Sequence, residues 1–224
     1  MTNDFDLTDE ILGVDKKKLS TIIVGVAGAG KTYALGKMMK DAVGRFPKSW
    51  RAIYISPKHE MISGFEDDKK VVPQTNLGEV VKGIAKNRLT VWYPDMASIH
   101  DDLDTLIEKC FEYCASEDCD ITMVLDDSSI VFDYGQPSDM WKKNIYAGRS
   151  KGLRFVALGH RTVQNTHLSS QTSHLMFFSL NHMEIKGIRE RFGFDAEQLV
   201  GDLGDYRWIY AKVNDEPMLM TPFP

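Results

Sequence analysis

The stretch Gly25-Val26-Ala27-Gly28-Ala29-Gly30-Lys31-Thr32 decides how this chain is read. A glycine, four residues and then Gly-Lys-Thr is the Walker A spacing. The stretch follows the apolar run Thr21 to Gly25, which reads as a buried strand, and it opens a helical pattern at Lys31. Glycines let the backbone turn tightly enough for several N–H groups to converge on phosphate oxygens, and the following helix N-terminus adds positive potential. Lys31 is expected to bridge the terminal phosphates of a nucleoside triphosphate, and the Thr32 hydroxyl to take one position on its Mg²⁺. The candidate nucleotide-binding residues are therefore Gly25, Gly28, Ala29, Gly30, Lys31, Thr32 and the adjoining Tyr33. Along the helix Ala34, Leu35, Met38, Met39, Ala42 and Val43 share one side, with Gly44 as the expected stop.

A partner for this loop lies downstream in Ile121-Thr122-Met123-Val124-Leu125-Asp126-Asp127. A buried strand there delivers two carboxylates at the C-terminal edge of a sheet, where open α/β proteins place ligands. Asp126 is the expected Mg²⁺ anchor, acting through the waters of the ion. Asp127 leaves the strand and points differently. It can orient or deprotonate an attacking water, or it can cap the following turn with Ser128 and Ser129.

Outward from these two segments, short apolar runs alternate with helical periodicity. Candidate strands cover Thr21 to Gly25, Ala52 to Ser56, Leu89 to Tyr93, Ile121 to Asp126, Phe155 to Leu158, Leu175 to Ser179, Trp208 to Val213 and Met218 to Thr221. The clearest helix spans Asp101 to Ala115, with Leu103, Leu106, Ile107, Cys110, Phe111 and Cys114 on one stripe. The expected fold is α/β: a mostly parallel sheet flanked by helices, closed by an antiparallel edge hairpin turning at Asn214-Asp215. Residues 1–18, an acidic start followed by Lys16-Lys17-Lys18, read as a loosely held arm before one domain over 19–224.

At 224 residues and 43% hydrophobic content the chain can bury a sizeable core. It has no apolar run of the ~20 residues that cross a bilayer, and its first ten residues are acidic where a secretory signal is basic and then apolar. A cytoplasmic protein is expected. Cys110, Cys114 and Cys119 crowd one stretch without zinc-knuckle spacing and are expected to be reduced. The net charge of -5 argues against coating DNA by bulk electrostatics, although a ring can concentrate a few lysines on channel loops. Lys58, Lys69, Lys70, Lys82, Lys142 and Lys143 are candidates for such loops.

Two further candidates flank the strand Phe155 to Leu158. Arg149, in Gly148-Arg149-Ser150-Lys151-Gly152-Leu153-Arg154, can complete a neighbouring subunit's site as an arginine finger, or can be a solvated helix-end charge. His160, at the strand tip, can sense the terminal phosphate or be a satisfied structural histidine. Arg154 and Arg161 are the fallback fingers.

Taken together, GVAGAGKT, the strand ending in Asp126-Asp127, and GRSKGLRFVALGHRT resemble the FtsK/HerA branch of P-loop ATPases. The run Leu175 to Leu203, with Asn181 and then Ile185, Ile188 and Phe192 on a helix, is similar to that branch as well. His160 stands where the branch usually has Gln, and Asp127 where it usually has Glu. Within the branch, a bare ATPase domain of this size resembles the genome-packaging ATPases of tailless, membrane-containing icosahedral double-stranded DNA viruses. That resemblance implies a Mg²⁺-dependent ATPase that works as a homo-oligomeric ring and translocates duplex DNA without reading its sequence. It also implies capsid vertex or portal proteins as partners, and a location in the host cytoplasm or the virion. A phage assembly or export ATPase and a small-molecule P-loop kinase are the other readings. The kinase would need an Arg-rich lid, and none is evident.

Overall fold

The computed structural model describes residues 6–13, 20–132, 137–160, 166–180, 182–193, 207–212 and 215–220. Its strands are β1 (Ser20–Val24), β2 (Trp50–Ile55), β3 (Leu89–Trp92), β4 (Asp120–Leu125), β5 (Leu153–Gly159), β6 (Thr172–Phe177), β7 (Trp208–Lys212) and β8 (Met218–Met220). They form one eight-stranded sheet in the order β3-β2-β4-β5-β1-β6-β7-β8. The first six strands are mutually parallel, and β7 runs antiparallel to both β6 and β8. The expected parallel sheet and its antiparallel edge hairpin are both present. The hairpin's turn at Asn214 lies outside the described residues.

Around the sheet lie α1 (Leu7–Leu12), α2 (Lys31–Arg45), α3 (Leu77–Lys86), α4 (Ile99–Glu117), α5 (Ser129–Phe132), α6 (Asp139–Ala147), a 3-10 turn over Gly148–Lys151, α7 (Thr166–Ser170) and α8 (His182–Phe192). Alternate strand residues serve two cores. Ile22 and Val24 share a cluster with Leu103, Leu106 and Ile107 of α4, while Ile23 joins Leu35, Met38 and Met39 of α2 on the other face. Burial on both faces is why these strands read as unbroken apolar runs.

Helix ends follow local chemistry. Asn76 caps α3 by accepting from the Gly78 and Glu79 N–H groups, and the Ser138 hydroxyl caps α6 by accepting from Trp141. The helix expected over Asp101 to Ala115 extends to Ile99–Glu117, where Asp118 in the left-handed region (φ 46°) turns the chain. Gly44 does not stop α2. The helix continues to Arg45, whose guanidinium bonds Asp41 at 2.7 Å and Asp6 at 2.5 Å. It ends before Phe46, which precedes Pro47 and is steered out of helical geometry.

Residues 7–12 are not loosely held as expected of the arm. Ile11 and Leu12 are fully buried in the α2-side core. Their helix is docked through its last carbonyls, which lack partners within so short a helix. Arg154 of β5, itself 3% exposed, donates to Glu10 O at 2.7 Å, to Gly13 O, and to Thr21 Oγ1 at 3.2 Å. Thr122 Oγ1 of β4 donates to Leu12 O at 3.0 Å. Arg154→Ala should therefore lower stability by about 2–3 kcal/mol, the scale of losing hydrogen bonds to a buried charged donor, read as the shift in a urea midpoint. A shift under about 0.5 kcal/mol would reject this docking role.

All three cysteines are free and buried, and burial raises each thiol pKa. They behave as core residues. Among the described residues no helix is long and apolar enough to cross a membrane.

Candidate functional site

Because β2, β4, β5 and β1 are parallel and lie side by side in that order, their C-terminal tips share one edge of the sheet. Segments far apart in sequence meet there. Lys58 lies beyond β2, Asp126 and Asp127 follow β4, His160 follows β5, and the loop 25–32 follows β1. β5 separates β4 from β1, so His160 stands between the glycine-rich loop and the paired carboxylates.

In the loop, Gly28 and Gly30 have φ of 75° and 94°, values that side chains disfavour. The chain then enters α2, with Ala34 N–H bonding Gly30 O at 2.9 Å. Lys31 is buried on the first turn, and its ammonium donates to Gly25 O at 2.8 Å and Val26 O at 3.0 Å. Burial lowers its pKa, opposed by the charges of Asp126 and Asp127. The lysine thus feels both carboxylates across the intervening strand. Thr32 is half-buried. Tyr33 is 46% exposed and carries the Lys37 ammonium 5.4 Å from its ring centre.

Asp126 accepts two hydrogen bonds, one on each oxygen. Tyr54 Oη of β2 donates to Oδ2 at 2.7 Å, and the Asp127 N–H donates to Oδ1 at 3.0 Å. Tyr54 is fully buried, and burial together with the Asp126 charge pushes its phenol well above the ordinary range. It stays a neutral donor.

Asp127 has a φ of 49°, and this left-handed residue swings its carboxylate away from the strand direction. The Lys58 ammonium contacts Oδ2 at 2.5 Å and the Ser129 hydroxyl donates to Oδ1 at 2.7 Å. Burial alone would raise its pKa. The Lys58 contact, the Ser129 hydroxyl and the charges of Lys58 and His160 outweigh burial and hold it below the usual carboxylate value. The bond from Ser129 makes Asp127 part of the turn, and the carboxylate also faces the site. Ser128 seals the turn onto β5, its N–H bonding Leu158 O at 2.7 Å.

His160 Nδ1 lies 3.1 Å from Gly25 O. A carbonyl only accepts, so Nδ1 donates this hydrogen bond.

Lys58 is placed differently from its expected channel role, because its ammonium is engaged by Asp127. Lys82 pairs with Glu79 at 2.8 Å and Lys142 with Asp139 at 3.3 Å, while Lys69 and Lys70 are exposed. Arg149 lies on the exposed 3-10 turn that enters β5, at the opposite sheet edge from the glycine-rich loop. The seven residues of β5 span roughly 20 Å, more than an arginine side chain covers. Arg149 is therefore out of reach of its own chain's loop. Its flanking glycines have packing reasons: a Cβ on Gly148 would lie 2.7 Å from Leu153 O, and one on Gly152, at φ 80°, would lie 2.8 Å from Cys119 O. The Gly-Arg-x-x-Gly spacing is thus explained without any partner molecule. Arg154 is the buried anchor of α1 and is no finger. Arg161 and Asn181 lie outside the described residues.

Sequence reasoning missed Tyr54 at the site and gave Lys58 only as a channel candidate. Both come from β2 and its exit, and only the sheet order places them beside β4.

Comparison with solved structures gives the overall likeness. The genome-packaging NTPase B204 from Sulfolobus turreted icosahedral virus 2, in complex with ATP-gammaS, matches with a TM-score of 0.73 at 18% identity, over 92% of this chain and 98% of that one. B204 from Sulfolobus Turreted Icosahedral Virus, described as a DNA-packaging ATPase, matches with a TM-score of 0.73 at 17% identity, over 91% and 97% of the two chains. The chain has the P-loop ATPase fold. The cytoplasmic domain of the Thermomonospora curvata type VII secretion ATPase EccC shares it, with a TM-score of 0.65 at 11% identity over 92% of this chain and 25% of that one. No protein-family model matches the sequence, and no curated protein matches it significantly. The FtsK/HerA-type resemblance expected from the motifs agrees with these neighbours in fold.

Proposed function

We propose that this chain is an ATP-hydrolysing motor that translocates double-stranded DNA as a homo-oligomeric ring, packaging a viral genome at a capsid vertex. The observation that carries the reading is the single sheet edge shared by the 25–32 loop, His160 and the Asp126-Asp127 pair. Gly25, Gly28, Ala29 and Gly30 offer backbone N–H groups to the phosphates of ATP, with Tyr33 beside them, and Lys31 neutralises the terminal phosphate charge. Thr32 and Asp126 supply only hard oxygen donors. Two such donors suit an ion held largely by waters and phosphates. Mg²⁺ held there would offset the charge on the phosphate oxygens. Asp127 accepts a proton from, or orients, the attacking water, and His160 reports the terminal phosphate to the loop through Gly25 O. Arg149 acts on a neighbour's nucleotide.

The fold likeness to two B204 structures, closer by TM-score than that to EccC, supports packaging over secretion. The acidic net charge of -5 supports weak DNA binding by the isolated chain and a steep salt dependence once assembled. The test is the Mg-ATP turnover of the assembled protein with and without duplex DNA. Turnover should rise by about tenfold or more with DNA of any base sequence, and the rise should disappear as salt screens the phosphates. Turnover indifferent to DNA would reject the motor in favour of a nucleotide switch or kinase.

A further inference from the structure

Tyr54 poses a chemical question that its packing does not answer. Its ring belongs to the α2-side core beside Val124 and Leu158, and a phenylalanine would fill that place equally well. The hydroxyl is an additional polar group in a fully buried side chain, and a buried hydroxyl is retained at low cost only where its hydrogen bonds are made. Its proton goes to Asp126 Oδ2 at 2.7 Å. Ser56, fully buried two residues on, accepts from the Glu60 N–H at 3.0 Å through its Oγ and so helps hold the chain where it leaves β2.

Tyr54 thus holds one oxygen of Asp126, and the Asp127 N–H holds the other at 3.0 Å. A carboxylate has about four lone-pair positions. Two fixed donors pin its plane and leave two positions open. The anchor points are rigid: Tyr54 stands opposite Val124 in the parallel β2–β4 register, and Ser56 N–H bonds Trp92 O at 2.9 Å. The turn beyond Ser56 is held as well. His59 has a φ of 60°, stacks on Tyr93 with centroids 5.2 Å apart, and contacts Pro94 O through Nε2 at 3.1 Å.

We infer that Tyr54 is the positioning residue that orients the Asp126 carboxylate for a divalent cation. The inference rests on the proposed reading of Asp126 as the Mg²⁺ anchor. Partners that orient a metal-ligating carboxylate have large effects on affinity when removed, because the ligand must then be ordered at the moment of binding.

The test measures Mn²⁺ binding by electron paramagnetic resonance in the presence of saturating ATPγS, alongside ATP binding in EDTA. Tyr54→Phe deletes one oxygen and keeps the ring, and it should weaken Mn²⁺ binding by about 10- to 100-fold. ATP affinity in EDTA should stay at the wild-type value, whereas a merely loosened fold would weaken both. Mn²⁺ affinity within about twofold of wild type in Tyr54→Phe would overturn the inference, given the factors such partners usually contribute. Asp126→Asn in the same titration separates the two levels. If that variant loses Mn²⁺ while Tyr54→Phe keeps it, only the positioning role fails; if Asp126→Asn also keeps it, the reading of Asp126 fails with it.

Discussion

Lys31→Ala should reduce ATP turnover by at least about 10²–10³-fold, the scale of removing one preorganised donor from developing phosphate charge. The fold should survive. Lys31 is buried, and burial disfavours its charged form, so its ammonium is held in place at an electrostatic penalty that truncation relieves. What truncation removes are hydrogen bonds to Gly25 O and Val26 O within the same loop, and no bond between core elements. The measurement pairs a steady-state assay with a thermal melt. A cooperative melt close to that of the wild type together with lost turnover is the expected result. Normal turnover would remove the loop's proposed role altogether.

Arg149→Ala should lower turnover of the assembled protein by about 10³–10⁵-fold, or about 4–7 kcal/mol of transition-state stabilisation, with little change in ATP affinity. The sheet geometry motivates the sharper form of this prediction. Arg149 sits at the strand edge opposite its own loop, so any contact with nucleotide has to be made on a neighbour. Arg149→Ala chains mixed with Lys31→Ala chains should then recover partial activity, because some interfaces pair an intact Lys31 with an intact Arg149. A role within one chain predicts no recovery, since neither variant carries both residues. Near-normal turnover by Arg149→Ala alone would leave it as an exposed charge on a turn whose glycines are already explained by packing.

The elements themselves were legible in the sequence because each has a local cause. The Gly-rich spacing forces a tight turn between a buried strand and a helix, and Gly28 and Gly30 take the positive φ that this requires. Apolar runs marked the strands because helices cover both faces of the sheet, and the stripe from Leu103 to Cys114 marked α4. The hairpin of β7 and β8 followed from the run pattern around 214–215.

Failures came where a long-range contact outweighed a local signal. Gly44 looked like a stop, yet the helix runs past it because Arg45 is held by Asp41 and Asp6. The first residues looked like a polar arm, yet Ile11 and Leu12 are drawn into the core and their helix is capped by Arg154 and Thr122. Arg154 looked like a possible finger for the same reason: its sequence neighbourhood does not reveal that it is buried.

By itself the sequence determined the glycine-rich loop, the strand that ends in two acids, and the α/β layering, since these depend on backbone conformation and hydrophobic period within single segments. Only the tertiary structure decided which strand tips are neighbours. Inserting β5 between β1 and β4 sets His160 between loop and carboxylates, and placing β2 beside β4 gives Asp126 its Tyr54 and Asp127 its Lys58. Strand order is set by how whole faces pack, a property of all the segments together, and so the residues that surround the two acids could not be read from any one of them.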